Sequence, residues 1–170
     1  PYSNKYNTKF IINSRVNIAF FKLLAPFIEK IDGFSQLRLE VTLKKDELLV
    51  IGNSLTSESF IKFPGFPHAF EDLTADVLFN QNKVSINSIS ADLAGGSVLG
   101  NGEVVFKGGK DYDIIINTSM EDVNIKFPEG FNTRGRGSIS LSGSGLPFLI
   151  SGQYYINDAH LSCTFDSKGS

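Results

Sequence analysis

The side chains of this chain that could do chemistry are few and scattered. They are His68 and His160, Asp111 and Asp113, Arg134 and Arg136, the lone Cys163, and serines set among glycines. Two histidines this far apart need a converging set of carboxylates to hold a metal ion, and no such set surrounds either of them. Both read as structural or surface histidines. Asp111 and Asp113 share one side of a strand beside the Gly108-Gly109-Lys110 turn, a spacing at which paired carboxylates could trade a proton. A solvated hairpin end is the simpler reading. Glycoside cleavage needs a spaced acid–base pair, and nothing separates these residues from ordinary edge charges. No serine has glycine at both −2 and +2, so the nucleophile elbow is missing. Gly95-Gly-Ser-Val-Leu-Gly100 and Gly143-Ser-Gly145 precede no helix and lack the Gly-Lys-Ser/Thr ending of a phosphate loop. Arg134-Gly-Arg136 reads either as a contact for an anionic headgroup or as a charged guard on a strand edge. Asn117-Thr-Ser119 matches a glycosylation acceptor, a pattern too common to weigh. Cys163 is a small apolar filler, and a single cysteine closes no intrachain disulfide. The expectation is a protein that is not an enzyme and needs no cofactor or metal.

The 170 residues are 41% hydrophobic and 20% charged with a net charge of −2, which suits one globular domain. A balance this close to neutral provides no concentrated basic surface for nucleic acid. Fifteen Phe and no Trp place apolar area without a polar handle. No run approaches the ~20 apolar residues of a membrane span, and no signal peptide opens the chain. Both ends read as cut points of a longer protein, with residues 1–166 as one β segment and 167–170 as a tail.

Period-two alternation dominates. Leu37, Leu39, Val41 and Leu43 alternate with polar residues, as do Leu73, Ala75, Val77 and Phe79. Ile89, Ala91 and Leu93 lead to a turn at Gly95-Gly96, after which Val98, Val104 and Phe106 share a face with Gly100 and Gly102. Parity slips by one between Ile86 and Ile89, which predicts a bulge, and Gly152 predicts another. Tyr112, Ile114 and Ile116, then Ile139 and Leu141, then Phe148, Ile150, Tyr154 and Ile156 continue the pattern. Thr8 to Ser14 reads as a strand and the polar stretch Gly52 to Ser59 as a loop. Val16 to Lys30 has the one helical period, with Asn17 as its cap and Pro26 as a break. Ile61-Lys-Phe-Pro64 recurs as Ile125-Lys-Phe-Pro128, an internal offset of 64 residues. The apolar faces can meet across a two-sheet sandwich, favoured on general grounds, or curl around a ligand.

Three stretches are similar to the repeating β-rich envelope proteins of the TamB and AsmA-like families. They are Asn17 to Lys30 ahead of Gly33-Phe-Ser-Gln-Leu-Arg-Leu39, Ser88 to Phe106, and Arg136-Gly-Ser-Ile-Ser-Leu-Ser-Gly-Ser-Gly145 to Ala159. The likeness runs from about Phe10 to Phe165; Gly52 to Ser59 and the Phe content depart from the Leu-rich style of the family. The resemblance implies an all-β fold, an elongated curved sheet (a β-taco) with an open hydrophobic groove and a short N-terminal helical segment. It reverses the preference for a sandwich. It implies a periplasmic segment of an inner-membrane-anchored protein of a diderm bacterium, facing an Omp85-type outer-membrane barrel; the plastid envelope holds similar proteins. Its function would be conduction of phospholipid along the groove and support of outer-membrane biogenesis, as in the translocation and assembly module. The groove-lining candidates are Leu37, Leu39, Val41, Leu73, Val77, Phe79, Ile86, Leu93, Val98, Val104, Phe106, Ile114, Ile116, Ile139, Leu141, Phe148 and Ile150. A second reading in the same family is a chaperone-like cradle for unfolded outer-membrane-protein strands, with Tyr154 to Ile156 as the joining edge. A third, from another class, is a β-sandwich adhesin or sugar-binding module that binds through exposed loop aromatics such as Phe66 or Phe131.

Overall fold

The computed structural model describes residues 7–23, 28–44, 47–109, 111–126, 128–145 and 147–161. Within them nine strands run in chain order: β1 Asn7–Asn17, β2 Lys30–Lys44, β3 Glu47–Lys62, β4 Ala69–Asn80, β5 Lys83–Leu93, β6 Gly96–Gly108, β7 Asp111–Lys126, β8 Phe131–Ser144 and β9 Leu149–Leu161. Each pairs antiparallel with the next, so the sheet order equals the sequence order. Short connections favour this, because a hairpin brings adjacent strands together with little loop entropy to overcome. The result is one open, curved, all-β sheet. The two-layer sandwich does not form, since all nine strands belong to a single sheet.

Register assigns the faces. Residues paired directly across a ladder share a side, so rows can be followed from strand to strand. One row runs Ile12, Leu39, Gly52, Phe79, Val84, Val104, Ile114 and Gly143. The next runs Ser14, Leu37, Ser54, Val77, Ile86, Gly102, Ile116, Leu141 and Ile150. This is the sheltered, inner face. The opposite face carries the cross-strand ion pairs Lys9–Glu40, Lys83–Glu103 and Lys107–Asp113 at 2.6–2.7 Å.

Bulges keep apolar residues on the inner side. The expected slip between Ile86 and Ile89 is present. Further slips fall between Thr56 and Ser59, Glu71 and Thr74, and Met120 and Val123. Each adds one residue to one strand, restores the inward parity and bends the strand.

The buried side chains lie beside this line of bulges. Leu93, Val98, Met120 and Val123 form one cluster, with Phe66, Phe70, Ile125 and Tyr154 packed on it. Ile18, Ile28 and Ile31 form a second, against Ile61 and Phe63.

Several local expectations are corrected. Gly52 to Ser59 is strand, because it is paired on both sides by β2 and β4 and the ladder overrides a polar composition. Among the described residues, the helical period from Val16 to Lys30 yields a 3-10 turn, Ile18–Leu23, between β1 and β2. Asn17 does cap it, accepting the Ala19 N–H at 2.7 Å. Pro26 and Cys163 lie outside the described residues. The central hairpin turns at Ala94-Gly95, one residue earlier than expected, with both at positive φ (51° and 82°); that is the backbone twist a two-residue hairpin needs. The last bulge is not at Gly152, which pairs regularly with Ile139, but opposite Arg134 and Gly135, between Ile156 and Asp158.

Candidate functional site

The register places all but one of the groove candidates on the inner face. Leu37, Val77, Ile86, Ile116, Leu141 and Ile150 share one row, and Leu39, Phe79, Val104 and Ile114 share the adjacent one. Val41 pairs with Phe10 and Val50, Leu73 with Ser59, Val98 with Met120, Phe106 with Tyr112, and Ile139 with Thr118. Leu93 closes the β5–β6 hairpin opposite Gly96. Phe148 stands just ahead of β9, outside the ladder. Its ring still meets Tyr112 at 6.3 Å, and Tyr112 meets Phe106 at the same distance, so an aromatic trio borders the inner face at that end.

The chemistry of this face is uniform. Among the described residues, no Asp, Glu, Lys or Arg occupies a ladder position that shares these rows. Its polar groups are hydroxyls, and the buried ones are engaged: Ser35 Oγ and Ser54 Oγ bond each other, and Thr133 Oγ1 donates to Ile125 O. Tyr154 Oη donates to Val123 O at 3.2 Å, which lays its ring over Gly135 of β8. Leu93 and Val123 are almost fully buried, whereas Phe106 and Ile150 stay 47% and 68% exposed. The face is therefore packed beside the bulges and open towards the β9 edge and the aromatic trio.

One connection folds over the inner face. The segment 63–68 between β3 and β4 sends Phe66 onto the Leu93 cluster, with its ring stacked on Phe70 at 6.5 Å. Phe66 is thus packed, and Phe131 begins β8, so neither is the free loop aromatic expected of an adhesin. His68 fastens the segment: its Nε2 accepts the backbone N–H of Lys126 at 2.9 Å. Burial and then the nearby Lys126 charge hold the His68 pKa below its ordinary 6.5. An imidazole that accepts this bond must be neutral, and the shift favours that form.

The other reactive residues are engaged elsewhere. His160 stands 3.3 Å from Asp158 on the exposed last strand. Asp113 is held below the usual carboxylate range by hydrogen bonds from Lys107 and then Ser144, and by the Lys107 charge. Arg134 does not guard an edge, because β8 is interior; its Nε donates to Asp122 Oδ1 at 2.6 Å. Among the described residues no three His, Cys, Asp or Glu side chains gather as metal ligands.

A pocket of about 430 Å³ opens over β7 to β9, walled by Phe66, Met120, Ile139, Ile150, Tyr154 and Ile156. Met120, Phe66, Tyr154 and Ile156 are absent from the expected lining, the last two belonging to the joining edge of the cradle reading. Met120 sits in the polar run 117–124, where a bulge at Glu121–Asp122 hides the alternation, and Phe66 sits in a Pro-Gly-Phe-Pro connection with no periodicity to read.

Compared with known protein families, with curated proteins and with solved structures, the chain matches none.

Proposed function

We propose that the inner face of this sheet carries phospholipid acyl chains, as a segment of a TamB-like bridge through the periplasm of a diderm bacterium. The reading rests on one observation above all: the ladder rows carry no charge from β1 to β9 and are mainly apolar, with serine hydroxyls as their polar side chains, while the reverse face holds the ion pairs. A surface of this kind grips hydrocarbon without choosing a position along it. Burying a chain of ~14 methylenes gains on the order of 11 kcal/mol gross at about 0.8 kcal/mol each. Ordering the lipid costs roughly 4–15 kcal/mol, so net binding is weak and reversible. A conduit requires that balance, because a polar anchor inside the rows would stall the lipid. An Omp85-type barrel is the receiving partner in this reading, and no catalytic step is assigned.

Native mass spectrometry of the purified chain in the presence of phospholipid tests it. Adducts of one or more phospholipids that dissociate at low collision energy are expected. A protein that stays free of lipid at concentrations where vesicles are present would remove the basis for the reading.

A further inference from the structure

Glycines on the inner face follow a packing rule. Gly52 lies between Leu39 and Phe79, Gly102 between Ile86 and Ile116, and Gly100 between Ile89 and Thr118. Gly137 lies between Met120 and Tyr154, and Gly135 between Val123 and Ile156. Each is flanked on both sides by a branched or bulky residue that uses the room a missing Cβ leaves. The fit is close: a Cβ at position 102 would come within 2.5 Å of Ile115 O and 3.0 Å of Ile116 Cγ1. Gly152 satisfies half of the rule. Ile139 faces it from β8, and among the described residues no strand faces it from the other side. The pocket walled by Phe66, Met120, Ile150 and Tyr154 extends over it.

Two further observations concern the same edge. The outermost strands differ in how they are guarded. β1 carries Lys9 and Arg15, and charges on an edge discourage pairing. From Leu149 to Asn157, β9 holds no charged residue, and Tyr155 and Ile156 are 59% and 51% exposed. Such an edge is a template for another strand. The internal offset then says what kind. Leu141 pairs with Ile150 as Val77 pairs with Ile86, 64 residues earlier, so β9 stands where β5 does. The far side of β5 is taken by β6, which sets Gly102 opposite Ile86.

We propose that the outer edge of β9 receives a further antiparallel strand of the β6 type, with a small residue opposite Ile150 and a large apolar one opposite Gly152. Main-chain hydrogen bonds continue the ladder, and the large side chain enters the pocket beside Gly152. The inner face is thereby prolonged, whichever cargo it carries.

Synthetic peptides of the β6 sequence, residues 97–106, test the proposal against the whole chain. In the β5 register, position 100 falls opposite the place that Gly152 occupies in β9. A peptide bearing Gly100→Leu is expected to slow hydrogen–deuterium exchange in residues 149–157 at least tenfold. The unaltered peptide should bind several-fold more weakly, and a Leu peptide N-methylated at alternate residues should give no protection. Equal protection by the Gly and Leu peptides, protection at β1 instead, or none, would overturn it. So would protection of β9 in the protein alone, whether rising with concentration through a second copy or constant through the chain's own residues 162–170.

Discussion

Glu58 and Asp122 occupy the same structural place 64 residues apart. Both stand at positive φ, 50° and 60°, inside a one-residue bulge, and each delivers the next residue, Ser59 or Val123, to a fully buried inner position. The strands that hold them, β3 and β7, also begin and end at that offset. A backbone conformation that costs an L residue energy recurs because it resets the inward parity of a long strand.

Replacing either acidic residue by valine should therefore lower stability by a similar ~1–2 kcal/mol, the cost of a β-branched side chain in the left-handed region. Both side chains are exposed, so little packing changes with them; Asp122→Val also gives up the solvent-exposed pair with Arg134, a contact of small worth in water. Urea unfolding would show a lower midpoint at an unchanged slope. A neutral result at both sites would argue against the bulge geometry.

Packing should be confined to one side of the sheet. Leu93→Ala removes a side chain that is 1% exposed and should cost about 2–5 kcal/mol. Leu99→Ala, on the reverse face and 56% exposed, should cost less than ~0.5 kcal/mol. Paired thermal or urea melts read the difference, and comparable losses would mean that the faces are misassigned.

A charge in the middle of the inner rows should end lipid binding. Val104→Asp and Ile114→Arg introduce groups that hydrocarbon cannot solvate, on half-buried positions where the folded sheet still leaves them access to water. Lipid adducts and transfer between vesicles should fall at least tenfold, with far-UV circular dichroism unchanged. Normal transfer by both variants would end the conduit reading.

The His68 contact should make stability fall in mild acid. Because its folded pKa lies below 6.5, the unfolded chain takes up the proton first as pH drops. The contribution is fully present above 6.5 and is lost as pH falls from there through the lowered folded value. Urea midpoints of wild type and His68→Gln should differ by a constant amount above pH 7 and converge towards pH 5. Parallel curves would show that the Lys126 N–H bond does not depend on a neutral ring.

How much of this was legible varies by segment. Leu37 to Leu43, Leu73 to Phe79 and Val98 to Phe106 announced their strands and inner residues, because strict alternation admits one face only. The slip at Ile86–Ile89 could be read because apolar residues bracket it closely. Gly52 to Ser59 and Asn117 to Asn124 could not, since their residues are polar and their strand character comes from ladders on both sides. The helical spacing from Val16 was real but lost to the strands around it, and what remains is a capped 3-10 turn.

Residue order alone determined an all-β chain with an amphipathic period, glycine turns and a recurrence at 64 residues. These are local properties, written in the spacing of neighbouring side chains. Whether the apolar sides would close against one another or stay open was decided only in three dimensions. Nine strands paired in simple succession make a single sheet, with no second layer among the described residues. The bulges of β3, β4 and β7, the Phe66 connection and the His68–Lys126 bond are long-range choices that no single strand encodes.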